Sequence, residues 1–150
     1  MTVAVVRPFR SGDAEALVAL AKELAADLHD PPPILDPARL EETLAGPDPW
    51  CRVLVAEREG RLVGYAATCR RFEPHTGQKS LWLADLHVAA AERRQKTGRL
   101  LMNAVAREAR ETGCSRLVWD LWTENAVGRA FYRRLGARRD AAVEVWTLEF

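Results

Sequence analysis

The sequence pattern of the second half of the chain predicts a strand, a helix and a second strand in direct succession. The two strands are the apolar runs at residues 81–88 and 116–122. The helix between them is indicated by apolar residues at helical spacing, namely Leu100, Leu101, Ala104, Val105 and Ala109. Strands joined in this way run parallel, and the crossover between them is right-handed. The chain therefore predicts a parallel pair of strands inside an otherwise antiparallel sheet.

Four further strands complete the predicted sheet. They cover residues 3–6, 52–58, 62–69 and 142–150, and Gly60 after the second of them is part of a hairpin signal. Adjacent strands joined by a tight turn are antiparallel, so most of the sheet is expected to be antiparallel.

Three further helices are predicted. The first has Ser11 as its N-cap and an apolar stripe from Leu17 to Leu28. The second begins at Asp36, which is followed by a proline at the first helical position, and the third covers residues 125–135. The resulting order, β-α-α-β-β-β-α-β-α-β, predicts one α/β (α+β) domain over residues 1–150.

Composition and charge support this single domain and exclude several classes of partner. The 150 residues are 48% hydrophobic, enough for one sizeable core. The formal net charge of +1 gives no bulk attraction to nucleic acid or to an anionic membrane. No apolar run approaches the roughly 18 residues of a membrane span, and the N-terminus lacks the pattern of a secretory signal. We therefore expect a cytoplasmic protein without a nucleic-acid or membrane partner.

The cysteines give no indication of a metal site. Cys51, Cys69 and Cys114 are odd in number and lack the spacing of metal ligands. They are interpreted as buried thiols in a reducing cytoplasm, and no metal cofactor is expected.

The helix predicted at residues 125–135 carries an unusual polar face. Asn125, Gly128 and Tyr132 share one side of it at 3.6 residues per turn, and Gly136 is placed to end it. Because Gly128 has no side chain, an extended ligand can approach the backbone between the amide and the phenol. This arrangement suits the binding of a thin polar chain such as pantetheine and the transfer of a proton to its end.

This segment resembles the C-terminal motif of the GNAT superfamily of acetyl-CoA-dependent N-acyltransferases, N-x-x-[AG]-x-x-[FL]-Y-x-x-x-G-[AF]. The matching residues are Asn125, Gly128, Phe131, Tyr132, Gly136 and Ala137. The resemblance implies acetyl-CoA as acyl donor. It also implies a GNAT-like mixed, mostly antiparallel central sheet with a splayed parallel pair and helices on both faces.

By the same resemblance, the segment before the central helix binds the diphosphate of CoA through backbone amides, in the frame [RQ]-x-x-G-x-[GA]. The residues implied are Arg93, Arg94, Gln95, Lys96, Thr97, Gly98 and Arg99. A helix N-terminus favours anions through its free N–H groups and its dipole. Lys96 departs from the family, which has glycine there, and a side chain at positive φ costs on the order of 1 kcal/mol. Its charge beside phosphate offsets part of this cost.

The strand at residues 81–88 resembles the family strand that pairs with pantetheine, which implies backbone hydrogen bonds from Leu86, His87 and Val88. The side chains of Asp85 and His87 point to one side of this strand, because successive side chains alternate. Either is a candidate base, directly or through water, and the sequence leaves the choice open. Tyr132 is the candidate acid for the leaving thiolate.

The acceptor is expected to be a small primary amine. The resemblance implies that Asn125 positions pantetheine, while Asp85, Asp120 and Glu124, with Glu73 on a loop, favour a cationic substrate. Residues 81–88 with 113–117 look like the diamine (polyamine and thialysine) acetyltransferase branch, although that branch has an acidic residue where this chain has an alanine.

Other functions and assembly states stay open at this point. The alternatives are a peptide or protein N-terminal acetyltransferase and a degenerate, non-catalytic acyl-CoA-binding domain. The apolar strand at residues 143–150 predicts a homodimer through an exposed edge, although a strand packed within one subunit is nearly as well supported.

Overall fold

Five strands form one sheet in a computed structural model of the chain, which describes residues 2–150. The strand order is the sequence order, and β4 and β5 are the parallel pair; all other neighbours are antiparallel. The strands are β1 (Val5–Pro8), β2 (Arg52–Arg58), β3 (Arg61–Glu73), β4 (Gln78–Val88) and β5 (Arg116–Val118). The mixed, mostly antiparallel sheet predicted from the sequence is confirmed.

Four α-helices and one turn of 3₁₀ helix accompany these strands in the described part of the chain. They are α1 (Ala14–Asp27), α2 (Pro37–Ala45), the 3₁₀ turn (Ala90–Glu92), α3 (Thr97–Glu111) and α4 (Ala126–Arg134). The sheet with α1, α2 and α3 belongs to a compact unit that ends at Val118, and α4 belongs to a second unit, Trp119–Phe150. A single domain over residues 1–150 stays a prediction.

Helices pack on both faces of the sheet. Tyr65 and Ala67 of β3 join a buried cluster with Leu17 and Leu20 of α1. Neighbouring residues of a strand face opposite sides of the sheet, so Gly64 belongs to the other face. Leu101 of α3 lies against Gly64 there. The α3 residues buried there are Thr97, Leu101, Met102, Ala104, Val105 and Ala109. The core thus fixes the N-terminal end of α3 and the end of β4 within one unit.

The strand predicted at residues 142–150 is absent. Residues 137–150 contain neither helix nor strand, and their large apolar side chains are exposed. These side chains are Val143, Val145, Trp146, Leu148 and Phe150. The alternating pattern alone does not make a strand, since a strand needs a hydrogen-bonded neighbour and the unit Trp119–Phe150 contains none. β5 is likewise shorter than predicted and ends at Val118.

The start of α1 also differs from the sequence prediction. Asp13 occupies the N-cap position instead of Ser11, whose hydroxyl donates to Glu41. The Asp13 carboxylate accepts two hydrogen bonds from Arg7, at 2.7 and 3.0 Å, and one from the backbone N–H of Arg10. Arg7 also donates to Glu57 at 2.8 Å. The cap is therefore part of an ion network that joins β1, α1 and β2.

We expect Asp13→Asn to lower the free energy of unfolding at pH 7 by about 2 kcal/mol, because it leaves Arg7 short of a charged partner. The Arg7 hydrogen bonds hold the pKa of Asp13 below its ordinary 3.8. The folded state therefore binds this proton less readily than the unfolded state. The stabilisation is complete above about pH 5 and is lost as pH falls through the folded pKa.

Urea unfolding of Asp13→Asn and the parent protein at pH 7 and pH 3 measures this difference. Asp48→Asn is the matched control, because Asp48 is exposed. Equal destabilisation by Asp13→Asn at both pH values would show that the Arg7 pair contributes no charge-dependent stability.

Candidate active site

One edge of β4 is open beyond its short pairing with β5. The parallel pairing covers Ser80, Leu81 and Trp82, and from Leu83 onward no strand within residues 2–150 pairs on that side. On the other side, the register with β3 shifts so that Ala84 has no partner. Backbone groups on this side of the end of β4, apart from the Val88 carbonyl, which accepts from Arg93, are therefore available to an extended ligand. Leu86 and Val88, which the resemblance assigns to pantetheine, belong to this segment.

Asp85 lies on this segment and is paired with a phenol. The Tyr65 hydroxyl donates to Oδ2 of Asp85 at 2.9 Å. No arginine, lysine or histidine of residues 2–150 forms an ion pair with Asp85. Tyr65 is 3% exposed, and its pKa is raised by burial and then by the negative charge of Asp85. The phenol therefore stays protonated and orients a carboxylate whose second oxygen accepts no hydrogen bond from residues 2–150.

His87 is almost enclosed and faces two carboxylates of α1. It is 4% exposed, its Nε2 lies 3.4 Å from Glu23, and its Nδ1 lies 3.9 Å from Asp27. Nε2 makes no hydrogen bond within residues 2–150. Glu23 also accepts from the backbone N–H of Ala90 at 2.8 Å, which ties α1 to the end of β4. Sequence reasoning missed Glu23 and Asp27, although their spacing of four residues on a helix places both on one face.

The N-terminus of α3 has the features of an anion site. Its N-cap residue is Lys96, in the left-handed conformation and with no side-chain cap. The N–H groups of Thr97, Gly98 and Arg99 find no acceptor among residues 2–150, because the first hydrogen bond of the helix comes from Leu100. These free N–H groups and the helix dipole attract negative charge.

The loop before α3 is conformationally strained. Arg94 has φ of 61° and Lys96 has φ of 66°, both in the left-handed region. The steric cost of a side chain at positive φ, which the sequence predicts for Lys96, therefore applies, and Arg94 carries the same cost. Gln95, between them, is half-buried. The Arg93 side chain donates to the Val88 carbonyl at 3.0 Å and pairs with Asp27.

We expect Lys96→Gly and Arg94→Gly each to raise the free energy of unfolding by roughly 1 kcal/mol, because glycine adopts left-handed φ without steric cost. Urea denaturation of the single variants measures this. Arg99→Gly, inside the first turn of α3, is the control, and we expect it to destabilise by up to about 1 kcal/mol. A loss of stability in all three variants would contradict the strain at the first two positions.

In the second unit, Asn125 caps α4. Its Oδ1 accepts a hydrogen bond from the Gly128 N–H at 2.8 Å. A Cβ on Gly128 would lie 2.8–2.9 Å from the Asn125 side chain. The capping amide of Asn125 therefore occupies the space beside Gly128. This contact is a local reason for glycine at the position, whereas the sequence interpretation explained the glycine by the approach of a ligand. The amide nitrogen of Asn125 donates no hydrogen bond within residues 2–150 and can serve a ligand.

Tyr132 stands on the same helix and packs against two aromatic rings. The centroid of its ring lies 4.7 Å from the ring centroid of Trp119 and 5.2 Å from that of Phe131. Burial raises the pKa of Tyr132 to about 12. The phenol therefore carries its proton throughout the neutral range, as a proton donor requires.

Glu73, one of the acidic residues predicted for substrate binding, lies far from Asp85 along the sheet. Glu73 is paired with Arg71 and Arg116, at 2.8 and 3.3 Å. It lies six residues along β3 from Ala67, the partner of Asp85, which places it roughly 20 Å away. Asp120 and Glu124 are exposed residues of the second unit.

Within residues 2–150, no group of three or more histidine, cysteine, aspartate or glutamate side chains is arranged for a metal ion. No helix in the same range combines the length and the apolar character needed to cross a membrane.

Comparison with known proteins decides the family. The model of the acetyltransferase (GNAT) family matches residues 16–137. The chain belongs to this family. The match confirms the resemblance read from the sequence and identifies an acetyl-CoA-dependent N-acetyltransferase.

One relative of this GNAT acetyltransferase supports the assignment, and two solved structures show the same fold. It is 30% identical over 158 residues to thialysine N-epsilon-acetyltransferase of Sus scrofa, covering 97% of this chain and 91% of that protein. Among solved structures, a ribosomal-protein-alanine N-acetyltransferase from Brucella melitensis superposes with a TM-score of 0.79 at 24% identity, over 99% of both chains. An integron cassette protein from V. cholerae has a TM-score of 0.82 at 21% identity, over 100% of this chain and 94% of that one.

Proposed function

We propose that this acetyltransferase transfers the acetyl group of acetyl-CoA to the primary amine of a small molecule, with Asp85 as the base. The observation that carries the proposal is the Asp85 carboxylate, oriented by Tyr65 on the open edge of β4 and not neutralised by a cation of residues 2–150. Such a group attracts an ammonium substrate and can accept the proton that the amine must lose before it attacks.

The chain offers acetyl-CoA a suitable binding region. The free N–H groups of Thr97, Gly98 and Arg99 fit a diphosphate, and the open backbone of Leu86 and Val88 fits the amides of pantetheine. Acetyl-CoA, when bound, supplies the activated acetyl thioester. Val88 contributes its N–H rather than its carbonyl, since that carbonyl already accepts from Arg93.

The two candidate bases differ in exposure and partners. Asp85 is half-buried, whereas His87 is enclosed between β4 and the carboxylates of Glu23 and Asp27. We therefore assign proton removal from the amine to Asp85. His87 holds the end of β4 against α1 and thereby fixes the backbone that pairs with pantetheine.

Direct attack by the amine is favoured over an acetyl-cysteine route through Cys51. This thiol lies 3.3 Å from that of Cys69. Burial, reinforced by Cys69, raises the pKa of Cys51 to about 12, so the nucleophilic thiolate is scarce at neutral pH. In the proposed reaction, Tyr132 donates its proton to the departing thiolate and Asn125 positions pantetheine through its free amide nitrogen.

The similarity to a thialysine N-epsilon-acetyltransferase supports an acceptor that carries a primary amine on a flexible chain, such as thialysine, lysine or a polyamine. The exposed apolar residues of the C-terminal segment support the predicted homodimer, in which this segment pairs with the second copy. Sedimentation equilibrium of the full chain and of a variant with Trp146 and Leu148 replaced by Ser tests the dimer.

Thermal unfolding with and without acetyl-CoA tests the donor. Ligand at about 100 times its dissociation constant adds roughly 2.7 kcal/mol, or several degrees for a domain of this size. A clear shift is expected, followed by thiol release when thialysine, lysine or spermidine is added. The absence of a shift at millimolar acetyl-CoA would indicate a non-catalytic domain in which the segment before α3 does not bind the diphosphate.

A further inference from the structure

Arg58, the last residue of β2, is a buried cation with contacts that the sheet does not require. It is 6% exposed. One terminal nitrogen donates to the Glu92 carboxylate, and the other donates to the Thr97 hydroxyl at 3.3 Å. Its Nε has no partner within residues 2–150. Enclosing a guanidinium is unfavourable unless its geometry is well satisfied, so a hydrophobic side chain would serve packing better at this position.

The two partners of Arg58 lie on either side of the phosphate loop, residues 93–96. Glu92 ends the 3₁₀ turn, and Thr97, which is 1% exposed, is the first residue of α3. One rigid guanidinium therefore joins both ends of a four-residue loop. Because the fork geometry of arginine is fixed, the bridge sets the separation of these ends, which a flexible lysine would not do.

This loop needs such a restraint. It contains Arg94 and Lys96, both at left-handed φ, and Lys96 supplies no side-chain cap to α3. Without an external restraint, these residues would relax toward ordinary φ, and the N–H groups at the start of α3 would no longer converge on one anion. Arg58 and Glu92 form a neutral pair, so the bridge acts through geometry rather than through added positive charge.

We propose that Arg58 is a positioning residue for the acetyl donor: by bridging Glu92 and Thr97, it holds the phosphate loop in the conformation that receives the diphosphate of CoA. The inference rests on the proposed binding of acetyl-CoA at α3. It adds to that proposal a residue of β2 that lies outside the family motif and 39 positions before Thr97 in sequence.

Calorimetric titration with two probes tests this role. CoA carries the diphosphate, and pantetheine does not. We expect Arg58→Lys and Thr97→Val each to weaken CoA binding roughly tenfold while changing the pantetheine affinity by less than about twofold. Thr97→Val removes a single hydroxyl contact and keeps the side-chain shape, so it tests the bridge even if Arg58→Lys folds poorly.

Arg61→Lys is the matched control. Arg61 also approaches Glu92, at 3.8 Å, but its side chain is 73% exposed, and we expect no change in CoA affinity. Unchanged CoA affinity in both Arg58→Lys and Thr97→Val would overturn the inference. Equal weakening of CoA and pantetheine would also overturn it, because it would show general damage to the fold. Failure of the unaltered protein to bind CoA would instead overturn the proposed function.

Discussion

Replacing Asp85 by Asn is expected to lower kcat with a primary amine by about 10²–10⁴-fold. Asn keeps the size of the side chain and can still accept from the Tyr65 hydroxyl, so the fold should be retained. It cannot take a proton from the amine or attract an ammonium group. Steady-state thiol release at saturating acetyl-CoA measures the change, with thermal unfolding as the check on folding.

The matched control for this substitution is Glu73→Gln, the same chemical change at the far end of β3. Glu73 was predicted from the sequence to bind substrate, and in the structure it pairs with Arg71 and Arg116. We expect its kcat to change by less than about twofold, the ordinary result for a substitution away from the chemistry. If Asp85→Asn retained full kcat, Asp85 would not be the base, and His87 would be the next candidate to replace.

Replacing Tyr132 by Phe is expected to lower kcat by about 10²-fold through loss of the proton donor. The ring contacts with Trp119 and Phe131 should survive. The pKa of Tyr132 is raised to about 12, so the phenol stays protonated at every pH where the protein can be assayed. The ratio of parent to variant kcat should therefore be constant between about pH 6 and pH 9.

Tyr65, the other tyrosine of the chain, supplies the control for Tyr132→Phe. Tyr65→Phe removes the hydrogen bond to Asp85 but no transferred proton, and we expect a fall in kcat of about tenfold, since a hydrogen bond to a charged carboxylate is worth about 1.5 kcal/mol. A larger loss in Tyr65→Phe than in Tyr132→Phe would contradict the role of Tyr132 as acid.

The sequence predicts the parts of this fold that depend on local patterns. The hairpin at Glu59-Gly60 follows from its turn residues, and both adopt positive φ. Asp36 caps α2 as its position before a proline indicates, accepting from Ala38 at 2.8 Å. The choice of Asp13 over Ser11 at α1 depends instead on Arg7 and Glu57, which lie on separate strands, and local sequence does not encode that choice.

The candidate site was predicted only where a motif or strand alternation carried the information. Asp85, His87, Lys96 and Tyr132 were all singled out from the sequence. Tyr65, Glu23 and Asp27 were missed, because they meet Asp85 and His87 through pairing of β3 with β4 and packing of α1 on the sheet. Tyr65 is 20 positions from Asp85 in sequence, and an ordinary strand tyrosine gives no sign of its partner.

The most direct test of the central claim is identification of the product by mass spectrometry after incubation with acetyl-CoA and thialysine, lysine or spermidine. We predict that an amine gains one acetyl group, that free CoA appears in equal amount, and that the Asp85→Asn variant forms little of either. Acetyl-CoA that binds but is never consumed with any of these amines would contradict transfer to a small primary amine. If an added peptide is acetylated at its N-terminus and none of these amines is, the acceptor is a peptide or protein N-terminus.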